Sequence, residues 1–252
     1  MAATAPLLCL DMGNSRLKAA LVAGGAIRAR LALEARTDPS AWDRRLAPLL
    51  TEPGTRAALC SVVPSREPPL LEWLRGRGVP AWQVAGDDEV PFPVAVEGRA
   101  TLGADRLCNA AAAWSEGLAP ALVVDAGSAV TADWLDAAGV YRGGMILPGR
   151  TMMLGALARG AERLPHAEPR WTEDPVGRDT AAALAAGATW GLLAAVEGLA
   201  ARLGADGAVV LTGGLAPDLA ARWRGTPPRL EPDWTLLGLR ALVEAGAARR
   251  RD

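Results

Sequence analysis

The chain has 252 residues, half of them hydrophobic, which is enough for one large domain or two of ordinary size. Its formal net charge of −1 supplies no field to recruit nucleic acid or an anionic membrane. Three scattered cysteines and a single histidine make no zinc or disulfide framework. No basic leader opens the chain, and the longest uncharged run, Thr180 to Val196, is shorter than the about 20 residues a bilayer needs. A soluble cytoplasmic protein is expected, without nucleic-acid or membrane partners, whose Cys9, Cys60 and Cys108 are buried free thiols.

In chain order, Leu7–Leu10 is a short apolar run closing on Asp11, the pattern of a buried strand. After a turn at Gly13-Asn14, Leu17–Val22 reads as the second strand of a hairpin. Thr55–Ser65 contains a further buried strand, Leu70–Gly78 a short helix and Pro80–Val84 a short strand. Val90–Leu102 is broken by prolines and reads as loop. Gly103–Gly117 is alanine-rich with an aspartate in its first turn, which predicts a helix. Pro120–Asp136 then repeats the opening pattern of strand, Asp-x-Gly turn and strand. Tyr141–Gly149 is a strand with a Gly/Pro turn, Thr180–Leu203 a long small-residue helix, Gly207–Pro217 a strand breaking at Gly213-Gly214, and Leu236–Ala248 a final helix. One repeat at more than 100 residues' spacing implies two related α/β domains, 1–118 and 119–252, with the boundary near Ala119.

The chemistry concentrates in the two turns. Glycine lets backbone amides approach an anion, and Asn14, Ser15 and Ser128 can donate to phosphate oxygens. Asp11 and Asp125, at the strand ends, can hold a cation on a nucleotide. Lys18, the only lysine among 27 basic residues, adds a compact charge. A lone Asp-x-Gly turn is commonly just a turn; two of them and a Gly-Gly turn after a third strand point to a nucleotide cleft between two domains. The chain has neither Gly-x-x-x-x-Gly-Lys-Ser/Thr nor Gly-x-Gly-x-x-Gly, which disfavours a P-loop and a dinucleotide fold.

The segments DMGNSRLK (Asp11–Lys18), LGADR (Leu102–Arg106), VVDAGSAVTAD (Val123–Asp133), GGMILPG (Gly143–Gly149), GRDT (Gly177–Thr180) and LTGG (Leu211–Gly214) resemble, in order and spacing, the type III pantothenate kinases. GNSRLK is most similar to the branch also called Bvg accessory factors. The resemblance spans almost the whole chain. It implies two ribonuclease-H-like domains of the actin-like ATPase kind with ATP in the cleft, a homodimer, and phosphorylation of pantothenate at the start of coenzyme A synthesis. On this resemblance Asp11, Gly13, Asn14, Ser15 and Lys18 form the first phosphate loop, with Asp11 orienting Mg²⁺. Gly103, Ala104, Asp105 and Arg106 line pantothenate, with Asp105 as catalytic base. Asp125 sits where the family binds a monovalent cation, K⁺ or NH₄⁺. Gly127 and Ser128 contact ATP, and Thr180 reaches pantothenate from the partner subunit. The family's tyrosine is missing near Val96; the only tyrosine is Tyr141.

Other features take plainer readings. Asp105 could simply cap the helix dipole. His166 is read as a surface histidine, the nine tryptophans as core, and the tail ARRRD as solvated. The Thr180–Leu203 helix is either a dimer contact or an ordinary core helix. The competing function is a non-enzymatic regulatory or accessory protein that keeps the nucleotide-binding fold, with other sugar kinases or polyphosphatases of the same ATPase superfamily as a third reading.

Overall fold

A computed structural model describes residues 5–204 and 208–251; Gly207, where one strand was expected to begin, lies outside them. Among the described residues, eleven strands and seven α-helices run in the order β1 (Leu7–Met12), β2 (Arg16–Ala23), β3 (Ala26–Glu34), α1 (Ser40–Arg45), β4 (Arg56–Ser61), α2 (Glu67–Arg75), β5 (Ala81–Val84), α3 (Ala104–Ser115), β6 (Ala121–Ala126), β7 (Ala129–Leu135), β8 (Tyr141–Pro148), α4 (Arg150–Gly160), α5 (Thr180–Leu203), β9 (Val209–Thr212), α6 (Ala216–Ala220), β10 (Arg229–Leu230), α7 (Trp234–Glu244) and β11 (Arg249–Arg251).

The chain forms two compact units, one running through Gly117 and taking up Gly139–Tyr141 and the residues from Asp233 onward, the other made of Leu118–Ala138 and Arg142–Pro232. The first unit holds a six-stranded sheet in the order β11-β5-β4-β1-β2-β3. β1, β2 and β3 form an antiparallel meander, and β4 and β5 continue parallel to β1. All six residues of β1 are buried, as a central strand covered on both faces demands. Leu8, Leu10 and Met12 face a core with Trp42, Leu70 and Leu74. By alternation Leu7, Cys9 and Asp11 take the other face, where α7 packs on β1 and β4, and α3 packs on α7 and β4.

The second unit repeats the plan. Its sheet has the order β10-β9-β6-β7-β8, so β6 to β10 fall in the spatial order of β1 to β5. β6 is antiparallel to β7 and parallel to β9, as β1 is to β2 and β4. The core packs Val124, Val130 and Leu211 against Leu192, Val196 and Ala200 of α5. By length and composition alone α5 could cross a bilayer; here one of its faces is spent on this core.

Two expectations change. The second unit is not one continuous run to the C-terminus: α7 and β11 belong to the first. The basic tail is exposed, as expected, but ordered as strand β11, antiparallel to β5. Its charges find partners: Arg249 pairs with Asp87 and the buried Asp88, and the Arg250 guanidinium lies 6.0 Å from the Trp82 ring centroid.

Candidate functional site

In the first unit β1 ends at the Gly13–Ser15 turn, which the Gly13 amide closes on the Arg16 carbonyl at 2.9 Å. Two more backbone bonds fix this loop. The Ala35 amide, just past β3, donates to the Ser15 carbonyl at 2.9 Å, and the Val62 amide, just past β4, donates to the Met12 carbonyl at 3.1 Å. Asn14 and Ser15 stay exposed on the loop while Asp11 is buried. Asp11 stands directly across from Lys18 on β2 and from Cys60 on β4, so one sheet face carries the lysine, the carboxylate and a thiol in a row.

α3 brings the third group. Gly103 caps it in extended conformation, and Asp105 in its first turn accepts the Arg106 amide at 2.8 Å. A Cβ on Gly103 would overlap the Asp105 carboxylate, so glycine here makes room for the acid. That Asp105 sits at the helix N-terminus agrees with the plain dipole reading; what that reading lacks is the neighbourhood. The Cys60 thiol is pushed far above its ordinary pKa, first by a hydrogen bond shared with Cys108, then by burial, and further by the negative charges of both Asp11 and Asp105. The two carboxylates thus act on one buried side chain.

The second unit holds its loop by the same bonds. Gly127 donates to the Ala129 carbonyl at 3.0 Å, Gly149 after β8 to the Ser128 carbonyl at 3.0 Å, and Leu215 after β9 to the Ala126 carbonyl at 2.9 Å. Ser128 is exposed and Asp125 half-buried. Asp125 lies opposite Thr131 on β7 and Thr212 on β9, which lines three side-chain oxygens across one face. The Thr131 hydroxyl is buried without a hydrogen-bond partner. Gly213 has φ of 88°, and a Cβ there would overlap the Asp125 carboxylate and the Ala126 carbonyl.

Of the expected site residues, the structure therefore brings Asp11, Gly13, Asn14, Ser15, Lys18, Gly103, Ala104, Asp105 and Arg106 into the first unit, and Asp125, Gly127, Ser128 and Thr180 into the second. Thr180 is exposed in the first turn of α5, behind an Asp179 cap that accepts the Ala182 amide at 2.8 Å. Tyr141 pairs its backbone with Pro93 and Ala95, next to the missing tyrosine's position, but its ring is fully buried. It is a core residue there rather than an exposed replacement. His166 is exposed, as read from the sequence. Sequence reasoning missed Cys60, Thr131, Thr212 and the packing role of Gly149. Thr131, Thr212 and Gly149 lie within the matched segments, but their roles, like that of Cys60, come from pairing and packing between strands and loops that no local pattern announces.

The paired sheets with acid-bearing hairpin loops are the actin-like/sugar-kinase ATPase fold. A protein assigned to the Baf family of transcriptional activators from Campylobacter jejuni superposes with TM-score 0.59 at 21% identity, over 95% of this chain and 98% of that one. An activator of 2-hydroxyisocaproyl-CoA dehydratase from Clostridium difficile, solved with bound ADPNP, gives TM-score 0.57 at 15% identity, over 96% of each chain. These likenesses show the fold. In sequence, a type III pantothenate kinase profile matches residues 7–202. The type III pantothenate kinase of Zymomonas mobilis is 37% identical over 96% of this chain and 93% of its own, and that of Thermomicrobium roseum 37% over 94% and 96%. The chain belongs to the type III pantothenate kinase family.

Proposed function

We infer that the chain has the activity of its family: it transfers the γ-phosphoryl group of ATP to the primary hydroxyl of pantothenate, the first step of coenzyme A synthesis. The observation that carries this is the meeting in one unit of a strand-end carboxylate faced by lysine, Asp11 with Lys18, and a helix-end carboxylate, Asp105, on a helix that packs on the neighbouring strand β4. Phosphoryl transfer needs charge neutralised at the phosphates and a carboxylate beside the attacking hydroxyl.

The residues divide that work. The backbone amides of the Gly13–Ser15 and Gly127–Ser128 loops, with the Asn14 and serine side chains, hold phosphate oxygens, and Lys18 adds a point charge. Asp105 takes the proton as the pantothenate oxygen bonds to γ-phosphorus and ADP leaves. Gly103, Ala104 and Arg106 line the acceptor, with Arg106 placed to meet its carboxylate. Thr180 would reach a partner subunit's pantothenate.

Asp11 fits an ion that arrives with its nucleotide. Among the described residues no group of three or more His, Cys, Asp or Glu could cage a metal, and Mg²⁺ on ATP asks of the protein only one or two carboxylates. When bound, Mg²⁺ would neutralise phosphate oxygens. Asp125 fits a monovalent cation, K⁺ or NH₄⁺, because the unpartnered Thr131 hydroxyl and Thr212 extend its oxygen set.

A homodimer through α5 is part of the same reading. Gly187, Gly191 and Gly198 are exposed, and a Cβ on each would meet nothing within 4 Å of this chain. Each glycine costs a helix interior about 1 kcal/mol relative to alanine, and no described residue packs at those Cβ positions to offset it. Close approach of a second copy would. The protein is cytoplasmic on this account and takes neither nucleic acid nor membrane. An accessory role without catalysis would have no use for Asp11, Lys18, Asp105 and Arg106 together.

A thermal-shift series tests the substrate. With Mg²⁺ and a non-hydrolysable ATP analogue present, pantothenate should raise Tm, while hexoses and polyphosphate should not. A shift with a hexose and none with pantothenate would overturn the assignment.

A further inference from the structure

The Ala126–Ser128 turn of the second unit is held from two sides by residues that also cap a helix. Gly149 donates its amide to the Ser128 carbonyl at 3.0 Å and accepts the Met153 amide at 2.9 Å, which opens α4. Leu215 donates to the Ala126 carbonyl at 2.9 Å and accepts the Leu219 amide at 3.1 Å, which opens α6. The fit is close on both sides: a Cβ on Gly149 would overlap the Gly127 and Ser128 carbonyls, and one on Gly213 the Ala126 carbonyl. The place of the turn therefore follows the place of two helix starts.

One side chain ties those starts together. Arg150, the first residue of α4, reaches Asp218, the third residue of α6, with Nη2 3.3 Å from Oδ2. The arginine side chain is only 13% exposed, and its Nε is buried without a hydrogen-bond partner among the described residues, so its charge leans on Asp218. Aromatic groups wall the pair. The ring centroid of Trp171, from the segment between α4 and α5, lies 6.0 Å from the Arg150 guanidinium and 4.2 Å from that of Arg222, and Trp171 meets Trp190 of α5 edge-on at 5.1 Å. Arg222 in turn donates to the Asp218 carbonyl at 3.2 Å.

We infer that Arg150 is a positioning residue for the second phosphate loop: its pairing with Asp218 across the starts of α4 and α6 holds the Gly149 and Leu215 clamps, and through them the Gly127–Ser128 turn, in place for a phosphate. The inference rests on the reading of that turn as a nucleotide loop. Arginine suits the position better than lysine, because a planar guanidinium can meet a carboxylate and an indole at once.

The test is calorimetric binding of Mg-ADP, with ADP-release kinetics beside it, for Arg150→Met, Arg150→Lys, Asp218→Asn and the double variant Arg150→Met/Asp218→Asn, each first shown to melt cooperatively. Arg150→Met should weaken Mg-ADP binding and raise KM for ATP about fivefold or more, the scale of coupling within one charged network. The kcat at saturating ATP should fall less than the affinity does, since Asp105 is untouched, and lysine should restore part of the affinity. Asp218→Asn should cost at least as much as Arg150→Met, because it leaves a nearly buried guanidinium without its counter-charge. The double variant should then be no worse than Asp218→Asn alone. Wild-type Mg-ADP affinity in Arg150→Met, or single losses that simply add in the double variant, would overturn the inference and leave an ordinary ion pair. If Arg150→Met does not fold, Arg150→Lys and Asp218→Asn carry the comparison, and wild-type affinity in both would overturn it. A wild type that binds Mg-ADP without pantothenate-dependent turnover would overturn the kinase reading alone, the binding series still deciding this inference; one that binds no Mg-ADP would overturn both.

Discussion

On the proposed reading Asp105 is the residue on which the chemistry turns, and Gly103 is what lets it sit there. A methyl at Gly103 would overlap the carboxylate. Gly103→Ala should therefore lower kcat while leaving KM for ATP near wild type, which initial rates at varied ATP would show. Asp105→Asn would remove the proposed proton acceptor, worth about 10²–10⁴ in rate for general-base catalysis. Lys18 faces Asp11 from a half-buried position, where a compact ammonium and a planar guanidinium are not interchangeable. Lys18→Arg should raise the apparent KM for ATP several-fold, and unchanged kinetics would remove Lys18 from the phosphate site. The acids and the lysine were legible because each sits in a recognisable turn. Cys60 was not, because its place opposite Asp11 comes from a parallel pairing across nearly fifty residues that no local pattern announces. The thiols also make a pH prediction. Cys9 is pushed well above its ordinary 9.0 chiefly by burial, and Cys60 likewise rises, chiefly through its bond to Cys108. An acid whose folded pKa is raised leaves the native state holding more protons than the unfolded one once pH passes the unfolded value, so stability falls. Urea midpoints should thus decline from about pH 8.5 upward, and less steeply in Cys9→Ala; a flat profile would deny the thiols that role.

Among the elements, α7 decides most. It returns to the first unit, meets α3 at Gly238 against the Cys108 carbonyl, and fixes Asn109 through Thr235 and Trp234. Overpacking a buried contact typically costs about 1–3 kcal/mol, and here the clash is with backbone. Gly238→Ala should lower the urea midpoint by at least that equivalent and depress kcat with it, since α3 carries Asp105. Wild-type stability would mean that the crossing is looser than described. The long periodic elements were legible: α5 matches its expected span, closed by Asp179 and by Gly204 in left-handed conformation, and the α3 span falls within the expected segment. Edge elements were not. β3 carries two arginines, Arg28 and Arg30, within its first five residues and only a short apolar run, Leu31–Leu33; it follows β2 through Gly24-Gly25, both at positive φ, and pairs along it. β11 reads as a solvated basic tail until β5 offers it an open edge and Asp88 a buried counter-charge.

At the scale of the whole molecule, the duplicated sheet order and the matching bonds that hold both loops are the frame of the account. The repeat of strand, Asp-x-Gly turn and strand announced that duplication. What the repeat could not reveal was that the last helix crosses back to the first unit, because α7 has no motif and its destination is set by the packing of Gly238 and Trp234. The exposed glycines of α5 belong to this scale too. Gly191→Leu should leave the monomer folded and convert a dimer to monomer in size-exclusion chromatography with light scattering; a wild type that is monomeric at micromolar concentration would remove that interface. The most direct measurement is ADP release by purified protein with Mg-ATP, with and without pantothenate and with K⁺ or Na⁺, beside Asp105→Asn. The account predicts pantothenate-dependent turnover by the wild type and its collapse in the variant. Turnover that does not need pantothenate, or that survives in Asp105→Asn, would contradict it.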